Sequence, residues 1–149
     1  MAPAQPVGAP APRDGRIPAS CAHGCQNRDF SLYVHIPFCS VRCGYCDFNT
    51  YATEDFGDGI GLGTYADDAT AEIFFAARAL EASGVVKRTL HTVFFGGGTP
   101  TKLPAYDLVR ILRTAIDIFG IEDGAEVTTE ANPDSVTYED LQTLKDGGF

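Results

Sequence analysis

The sequence is short of positive charge. It carries 11 Lys and Arg residues against 20 Asp and Glu residues, which gives a formal net charge of −9 at pH 7. A protein that binds the phosphates of DNA or RNA needs a basic face, so this balance disfavours nucleic acid as a partner. The acidic residues are spread along the chain, which is typical of the surface of a soluble cytosolic protein.

Long apolar runs are missing as well. No uninterrupted apolar run reaches the roughly 18 residues that a transmembrane helix needs. The start of the chain, MAPAQPVGAP, lacks the basic segment and the following apolar segment of a secretory signal peptide. The sequence therefore predicts a cytoplasmic protein without a membrane-spanning segment.

The cysteines do not fit a disulfide framework. There are five, an odd number, and three of them lie in one run with the spacing C-x3-C-x2-C: Cys39, Cys43 and Cys46. Clustered thiols of this kind indicate a reducing compartment and metal binding. Most motifs that bind a 4Fe–4S cluster supply four thiolates, one for each iron. A set of three leaves one iron open to a substrate, like the open position of a catalytic zinc, and favours an enzyme over an electron carrier.

The chain divides at about residue 28. Residues 1–28 are rich in Ala, Pro and Gly and lack apolar periodicity, so we predict a disordered extension in which Cys21 and Cys25 are incidental thiols. Residues 29–149 alternate between short apolar runs and segments of helical periodicity. We predict strands at residues 31–36, 92–95 and 126–131, each followed by a helix. This order predicts an α/β fold of three βα units with parallel strands and right-handed crossovers.

Local signals mark the helix ends and one flexible segment. Pro104 fits the first turn of the second helix and Gly120 fits its end. Thr137 and Asp140 have the spacing of a capping box at the start of the third helix. The glycines of residues 57–63 predict a flexible stretch before the first helix.

Glycines and an acidic residue follow the second and third predicted strands. Gly96, Gly97 and Gly98 come after the second strand, where glycine lets a ligand approach the backbone closely. Glu130 lies at the end of the third strand, where a carboxylate can bind hydroxyl or ammonium groups. Ligands of α/β folds bind at the carboxyl ends of the strands. From these residues alone, a tight turn and a solvated acidic side chain remain equally simple interpretations.

Four short segments together resemble one known family. Residues 33–39 read YVHIPFC, residues 45–48 read YCDF, residues 94–100 read FFGGGTP and residues 130–133 read EANP. In this order they resemble the radical S-adenosylmethionine (SAM) superfamily. Within it they are similar to the subfamily of the oxygen-independent coproporphyrinogen III oxidases and their relatives, the haem chaperones of the HemW type. The resemblance covers residues 30–149 and implies the N-terminal half of a partial (βα)6 barrel, so we interpret residues 29–149 as a truncated radical SAM core.

The resemblance implies two cofactors and their ligands. Cys39, Cys43 and Cys46 are the expected ligands of a 4Fe–4S cluster, and SAM is expected at its open iron. The expected SAM contacts are Gly97, Gly98 and Thr99 at the methionine amino end, Tyr45 beside the adenine, Tyr33 and Glu130. The implied chemistry is one-electron cleavage of SAM to methionine and a 5′-deoxyadenosyl radical, with the electron from an external donor. We expect the truncated chain to be inactive alone.

One departure from the family pattern favours the haem chaperones. The oxidases carry a further Cys two positions after the third cluster ligand, where this chain has Phe48. We therefore expect a HemW-like protein that delivers haem to acceptor proteins, with coproporphyrinogen III oxidation in porphyrin biosynthesis as the alternative. The resemblance places haem or porphyrin binding in a C-terminal part and implies membrane contact only through haem acceptors.

Two interpretations from other classes stay open. An iron–sulfur electron carrier needs a fourth thiolate, which Cys21 or Cys25 could supply. A structural zinc site needs a fourth ligand beside the clustered thiols, which Asp47 or His35 could supply.

Overall fold

The computed structural model describes residues 12–52 and 54–149. Its elements, in chain order, are β1 (Ser31–Ile36), β2 (Asp55–Gly57), β3 (Ile60–Gly61), α1 (Tyr65–Ala82), β4 (Leu90–Gly97), α2 (Ala105–Phe119), β5 (Ile121–Thr129) and α3 (Tyr138–Gly147). β1, β4 and β5 form one parallel sheet in the order β1-β4-β5, and each precedes one of the three helices. The predicted α/β architecture of three βα units is confirmed.

The parallel register brings the ends of the strands together. Tyr33 of β1 lies opposite Phe94 of β4, and Phe94 lies opposite Thr128 of β5. Since all three strands run in the same direction, their carboxyl ends meet at one edge of the sheet. The loops that leave this edge carry the predicted site residues.

The core lies between the sheet and the helices. Alternate strand residues point to opposite faces, and one set is buried against the helices: Val34, Ile36, Val93 and Phe95. The apolar stripe of α2 completes this core with Leu108, Ile111, Leu112 and Ala115, all fully buried. The other set of strand residues, which includes Tyr33 and Phe94, faces away from the helices and is partly exposed.

The helix-end signals are confirmed. The Thr137 hydroxyl accepts from the Asp140 backbone N–H at 3.2 Å, and the Asp140 carboxylate accepts from the Thr137 N–H at 3.0 Å. This reciprocal pair satisfies two N–H groups that the first turn of α3 leaves free. Gly148 ends the helix in the left-handed region at φ 109°. Pro104 immediately precedes α2, and Gly120 follows it.

Strand boundaries differ from the prediction. β5 begins at Ile121, although its first residues include the exposed Glu122 and Asp123 and have no apolar pattern. Leu90 pairs with Ile121 and Thr92 pairs with Glu126, so the residues between Ile121 and Glu126 form an irregularity in the ladder. Backbone pairing rather than apolar side chains defines this part of the strand. Likewise, the segment predicted as flexible, residues 57–63, includes the last residue of β2 and all of β3, which pair as a short antiparallel ribbon.

The segment before β1 contacts the sheet and helices where it is described. Two single-turn 3-10 helices occupy Ala19–Ala22 and Cys25–Asn27. The Ile17 N–H donates to the Ser83 hydroxyl at the end of α1, and Cys25 is only 2% exposed. Residues 1–11 lie outside the described residues, and the division into an extension and a core at residue 28 stays a prediction.

In the described parts of the chain, no helix combines the length and the apolar character that crossing a bilayer requires.

Candidate functional site

The candidate site lies at the carboxyl edge of the sheet. β1 ends at Ile36, and the loop that follows it carries the three clustered cysteines. β4 ends at Gly97 and turns through Gly98 and Thr99. Glu130 directly follows β5. Parallel pairing therefore brings three separate sequence motifs to one edge, as expected for the ligand site of an α/β fold.

Backbone hydrogen bonds join the glycine turn (residues 97–99) to the start of the cysteine loop (residues 37–51). The Gly98 N–H donates to the Ile36 carbonyl at 2.7 Å, and the Thr99 N–H donates to the Phe38 carbonyl at 2.8 Å. A Cβ atom at position 98 would lie 2.5 Å from the Phe38 carbonyl oxygen and 2.9 Å from the Cys39 sulfur. Only glycine fits between these two loops, so their close approach explains why position 98 is a glycine.

Gly97 is required for two reasons. Its φ of 117° lies in the region that favours glycine. A Cβ atom there would also lie 2.7 Å from Cε1 of the His35 ring. The backbone N–H of Gly97 donates to Oε2 of Glu130 at 3.3 Å. Gly97 and the predicted SAM-binding carboxylate are therefore neighbours, although they lie 33 residues apart in the chain.

The end of β5 is held by its own backbone. The Glu130 N–H donates to the Phe95 carbonyl at 3.0 Å, which continues the ladder one residue beyond the strand. The Glu130 side chain is exposed and reaches back to the glycine turn. Its carboxylate therefore lies where it can accept bonds from a ligand at the strand ends as well as from Gly97.

Tyr33 and His35 connect the outer face of β1 to the cysteine loop. The Tyr33 ring stacks on Phe94 with 5.8 Å between centroids and is 52% exposed. Nε2 of His35 lies 2.9 Å from the carbonyl oxygen of Asn49, which can only accept, so Nε2 carries the proton. In a neutral ring, Nδ1 then accepts from the Tyr33 hydroxyl at 2.8 Å. Burial, and secondarily the charge of Glu130, raise the pKa of Tyr33, which keeps this hydroxyl a donor.

The cysteine loop is closed at its base and open at its tip. The Cys39 N–H donates to the Tyr51 carbonyl at 3.0 Å, and the Tyr51 N–H donates to the Pro37 carbonyl at 2.8 Å. Cys39 and Cys46 are half-buried, whereas Cys43 is exposed. Tyr45, two residues after Cys43, is 89% exposed. Over residues 12–52 and 54–149, no three His, Cys, Asp or Glu side chains converge as a preformed metal site.

The donor set fits a 4Fe–4S cluster. Three thiols lie on one loop, which is the soft ligand type that iron–sulfur clusters take. Gly98 lets the turn after β4 approach the Cys39 sulfur closely, since a Cβ there would lie only 2.9 Å from it. Both ring nitrogens of His35 are occupied by Tyr33 and Asn49, so this histidine is a poor fourth zinc ligand.

Cys25 is badly placed to be a fourth thiolate. Nη1 of Arg88 donates to the carbonyl oxygens of Cys25 at 2.6 Å and Arg28 at 2.7 Å, just before β4 begins. Cys25 therefore lies at the amino end of the sheet. Cys39 lies beyond the carboxyl end of the six-residue β1, a strand about 20 Å long at ~3.3 Å per residue. This separation argues against Cys25 as the fourth thiolate of an electron carrier.

Three hydroxyl residues at the site lack a sequence signal. The Tyr65 hydroxyl donates to the His35 carbonyl at 2.5 Å, and burial, followed by the charge of Glu72, raises the Tyr65 pKa to about 12. The Thr101 hydroxyl accepts from the Asn132 N–H at 3.2 Å and thereby joins the loops after β4 and β5. The Thr50 hydroxyl lies 3.6 Å from the Cys46 sulfur. Each partner is distant in sequence or lies in an irregular loop, so no periodic pattern marks these residues.

Comparison with known proteins extends these observations. Residues 33–149 match the family model of the Radical SAM superfamily. The chain is 42% identical over 120 residues to the heme chaperone HemW of Mycobacterium tuberculosis, covering 80% of this chain and 29% of that protein. It is 33% identical over 119 residues to the heme chaperone HemW of Buchnera aphidicola subsp. Schizaphis graminum, covering 80% of this chain and 30% of that protein.

A solved structure shares the fold. The structure of coproporphyrinogen III oxidase (HemN) from Escherichia coli, a radical SAM enzyme, matches with a TM-score of 0.67 and 30% sequence identity. The match covers 82% of this chain and 26% of that one. The chain thus spans less than a third of the length of the relatives that it matches. The resemblance read from the four motifs is confirmed, as is the partial-barrel fold, and the chain belongs to the radical SAM superfamily.

Proposed function

We propose that this chain holds a 4Fe–4S cluster through Cys39, Cys43 and Cys46 and binds SAM at the carboxyl edge of the sheet. The observation that carries the proposal is the contact between Gly98 and the cysteine loop. A Cβ at position 98 would lie 2.9 Å from the Cys39 sulfur, so a ligand at the glycine turn is also next to the first thiol. A site for a cluster with an open iron needs this adjacency.

The chain's own groups have distinct roles in this proposal. Gly97, Gly98 and Thr99 offer backbone close to the methionine amino end of SAM. The Glu130 carboxylate accepts from its ammonium or hydroxyl groups, while the exposed rings of Tyr33 and Tyr45 cover the adenosyl side. When bound, the cluster and SAM supply one-electron radical chemistry, with the electron from a separate donor.

The cysteine loop must close for this binding. Cys43 and Tyr45 are exposed at the loop tip, and the thiols do not converge in the part of the chain that the structure describes. The base of the loop is fixed by the Cys39, Tyr51 and Pro37 backbone bonds, so closure requires movement of the tip alone. Coupling of metal binding to such local ordering is common in proteins.

For the whole protein we propose a HemW-like haem chaperone in the cytoplasm. Its support is the 42% and 33% identity to two proteins named heme chaperone HemW. Haem, its acceptor proteins and any membrane contact through those acceptors belong to this proposal for the longer protein. Coproporphyrinogen III oxidation is the second candidate, favoured by the structural match to HemN. Phe48 stands where the oxidases carry a further cysteine and supports the chaperone.

Electron paramagnetic resonance (EPR) of the chain tests the cluster and the SAM site together. The chain is reconstituted anaerobically with iron and sulfide, reduced with dithionite and measured with and without SAM. We expect a reduced-cluster signal that changes when SAM is added, because SAM would occupy the open iron. Cys43→Ala should abolish the signal, because two thiolates would remain in the loop.

Cys21→Ala is the matched control. Cys21 is exposed, and its carbonyl accepts from Arg28 at the amino end of the sheet, so this variant should keep the full signal. A signal that SAM leaves unchanged would contradict the open-iron site. One bound zinc per chain without any cluster would contradict the proposal that these cysteines bind a 4Fe–4S cluster.

A second experiment separates the two candidate functions of the whole protein. A full-length protein that contains this chain is supplied anaerobically with coproporphyrinogen III, SAM and reductant, and separately with haem. Haem binding without loss of carbon dioxide from the porphyrinogen supports the chaperone. Decarboxylation would replace it with the oxidase.

A further inference from the structure

Thr50 is buried in a loop whose neighbouring residues are exposed. Its residue exposure is 3%, whereas Asp47, Phe48 and Asn49 are all exposed. A buried hydroxyl needs a hydrogen-bond partner, since leaving it unpaired costs free energy. The partner of Oγ1 is a thiol: the Cys46 sulfur lies 3.6 Å away.

The backbone holds Thr50 in this position from both sides. The carbonyl of Asn49 accepts from Nε2 of His35, and the N–H of Tyr51 donates to the Pro37 carbonyl. The Thr50 N–H itself donates to the Phe48 carbonyl at 2.9 Å. The hydroxyl therefore belongs to the fixed base of the cysteine loop, while its partner Cys46 is the last of the three thiols before that base.

The direction of the hydrogen bond follows from the state of the sulfur. Between a hydroxyl and a thiol, either group can donate. A cysteine that binds iron is a thiolate and has no proton to give, so the hydroxyl must then be the donor. Hydrogen bonds to ligand sulfurs are one of the means by which proteins set the reduction potential of an iron–sulfur cluster.

We propose that Thr50 is a positioning residue that donates a hydrogen bond to the Cys46 sulfur and raises the reduction potential of the cluster. This inference rests on the proposed function, because it takes Cys46 as a cluster ligand. The physical reason is charge: reduction adds one electron to the cluster, and a donor at a ligand sulfur stabilises the added negative charge. The bond also holds the sulfur towards the base of the loop, to which Thr50 belongs.

The test is a redox titration of the reconstituted chain, followed by EPR. Thr50→Val removes the donor and keeps the shape of the side chain, and we expect its midpoint potential to shift to a more negative value. Thr50→Ser keeps the hydroxyl and should stay close to the wild-type potential. Thr92→Val is the matched control, because its hydroxyl donates to Ser31 near the amino end of the sheet, and it should leave the potential unchanged.

The outcomes distinguish a failure of this inference from a failure of the proposed function. If the wild type and Thr50→Val both assemble a cluster and their midpoint potentials are the same, the inference is overturned and the proposed function stands. A serine variant that shifts as far as the valine variant would do the same. A wild-type chain that assembles no cluster overturns both. The valine variant could also lose iron while its melting temperature stays at the wild-type value and the serine variant keeps its iron. That result supports the positioning role. Thr50→Ala then serves as the variant without a donor for measuring the potential.

Discussion

The two ends of the same three strands are built in opposite ways. At the carboxyl end the glycine turn approaches the cysteine loop through backbone, with Gly98 against the Phe38 carbonyl. At the amino end the contacts are made by side chains. The Phe30 ring meets Phe119 edge-on at 5.2 Å, and the Arg88 guanidinium lies 5.0 Å above Phe30.

This difference predicts which substitutions should affect cofactor binding and which should affect the stability of the fold. Glycine at the carboxyl end leaves room for a ligand but contributes little buried apolar area. The aromatic and cationic contacts at the amino end involve side chains and contribute to stability. Substitutions at the carboxyl edge should therefore reduce cofactor binding, while those at the amino edge should reduce the free energy of unfolding. Each prediction below tests one side of this contrast.

The largest effect is expected from Gly98→Ala. The added Cβ would meet the Phe38 carbonyl oxygen at 2.5 Å and the Cys39 sulfur at 2.9 Å, and backbone cannot move aside as a flexible side chain can. Overpacking of this kind costs about 1–3 kcal/mol, and here the strain displaces the first thiol. We expect iron incorporation to fall severely and SAM affinity to fall by more than tenfold, about 1.4 kcal/mol. Iron analysis and equilibrium binding of SAM measure both.

Gly63→Ala is the control for this substitution. Nothing lies within 4 Å of a Cβ at position 63, and its φ is not positive, so the added methyl group has space. It should bind iron and SAM as the wild type does. Equal losses in both variants would mean that the carboxyl edge has no special need for close backbone contact.

Arg88→Met should have the largest effect at the amino end. It keeps the apolar stem but loses the bonds to the Cys25 and Arg28 carbonyls and the contact with the Phe30 ring. Nε of Arg88 is buried without a hydrogen-bond partner among the described residues, which reduces the net gain from the arginine. We expect a loss of about 2 kcal/mol in the free energy of unfolding. Denaturant unfolding measures this loss, and iron incorporation in the folded variant should be unchanged.

An exposed arginine provides the comparison. Arg113 lies on the outer side of α2, and Arg113→Met should change stability by no more than about 0.5 kcal/mol. If Arg88→Met removes the cluster while the protein stays fully folded, then the two ends are coupled and the contrast between them is wrong.

Glu130→Gln tests charge at the carboxyl edge. The amide oxygen of Gln can still accept from the Gly97 N–H, so the turn should persist. Bonds to a charged acceptor are about twice as strong as neutral ones, so SAM affinity should fall roughly tenfold. Isothermal calorimetry of the reconstituted chain measures the change. Glu126→Gln, an exposed acidic residue on the same strand, should leave the affinity unaltered.

The two ends also differ in how far the sequence predicts them. The motifs at the carboxyl end are local: three cysteines in one run, a glycine turn directly after β4 and Glu130 directly after β5. Because parallel strands end together, their convergence follows from the strand prediction alone. The resemblance to the radical SAM superfamily implied Cys39 as a cluster ligand and Gly97, Gly98, Thr99 and Glu130 as SAM contacts, and the structure brings these residues to one edge of the sheet.

The amino end has no comparable signal. Arg88 contacts the carbonyls of Cys25 and Arg28 across 63 and 60 residues of chain, and a carbonyl acceptor leaves no mark on residue type. For the same reason the contact of residues 12–28 with the helices was not predicted. The irregular pairing at the start of β5 depends on the neighbouring strand, not on its own residues. The exposed positions of Cys43 and Tyr45 depend on the loop conformation, which spacing does not encode.

The smallest effect is expected from the ion pair of His91 and Glu122 at the amino end, where Nδ1 lies 2.8 Å from the carboxylate. The hydrogen bond with Glu122, and secondarily the charges of Asp29 and Glu122, raise the pKa of His91 in the folded chain. The folded state therefore binds the proton more tightly than the unfolded state does. This stabilisation is fully present below the ordinary histidine pKa of about 6.5 and is lost as the pH rises through the raised value. The melting temperature of the wild type should be slightly lower at pH 8.5 than at pH 6. The difference is small because both side chains are about half exposed and solvent screens the pair. His91→Gln should remove this difference, and Glu122→Gln should largely remove it. An identical pH dependence in wild type and both variants would show that packing, and not charge, accounts for stability at this end of the sheet.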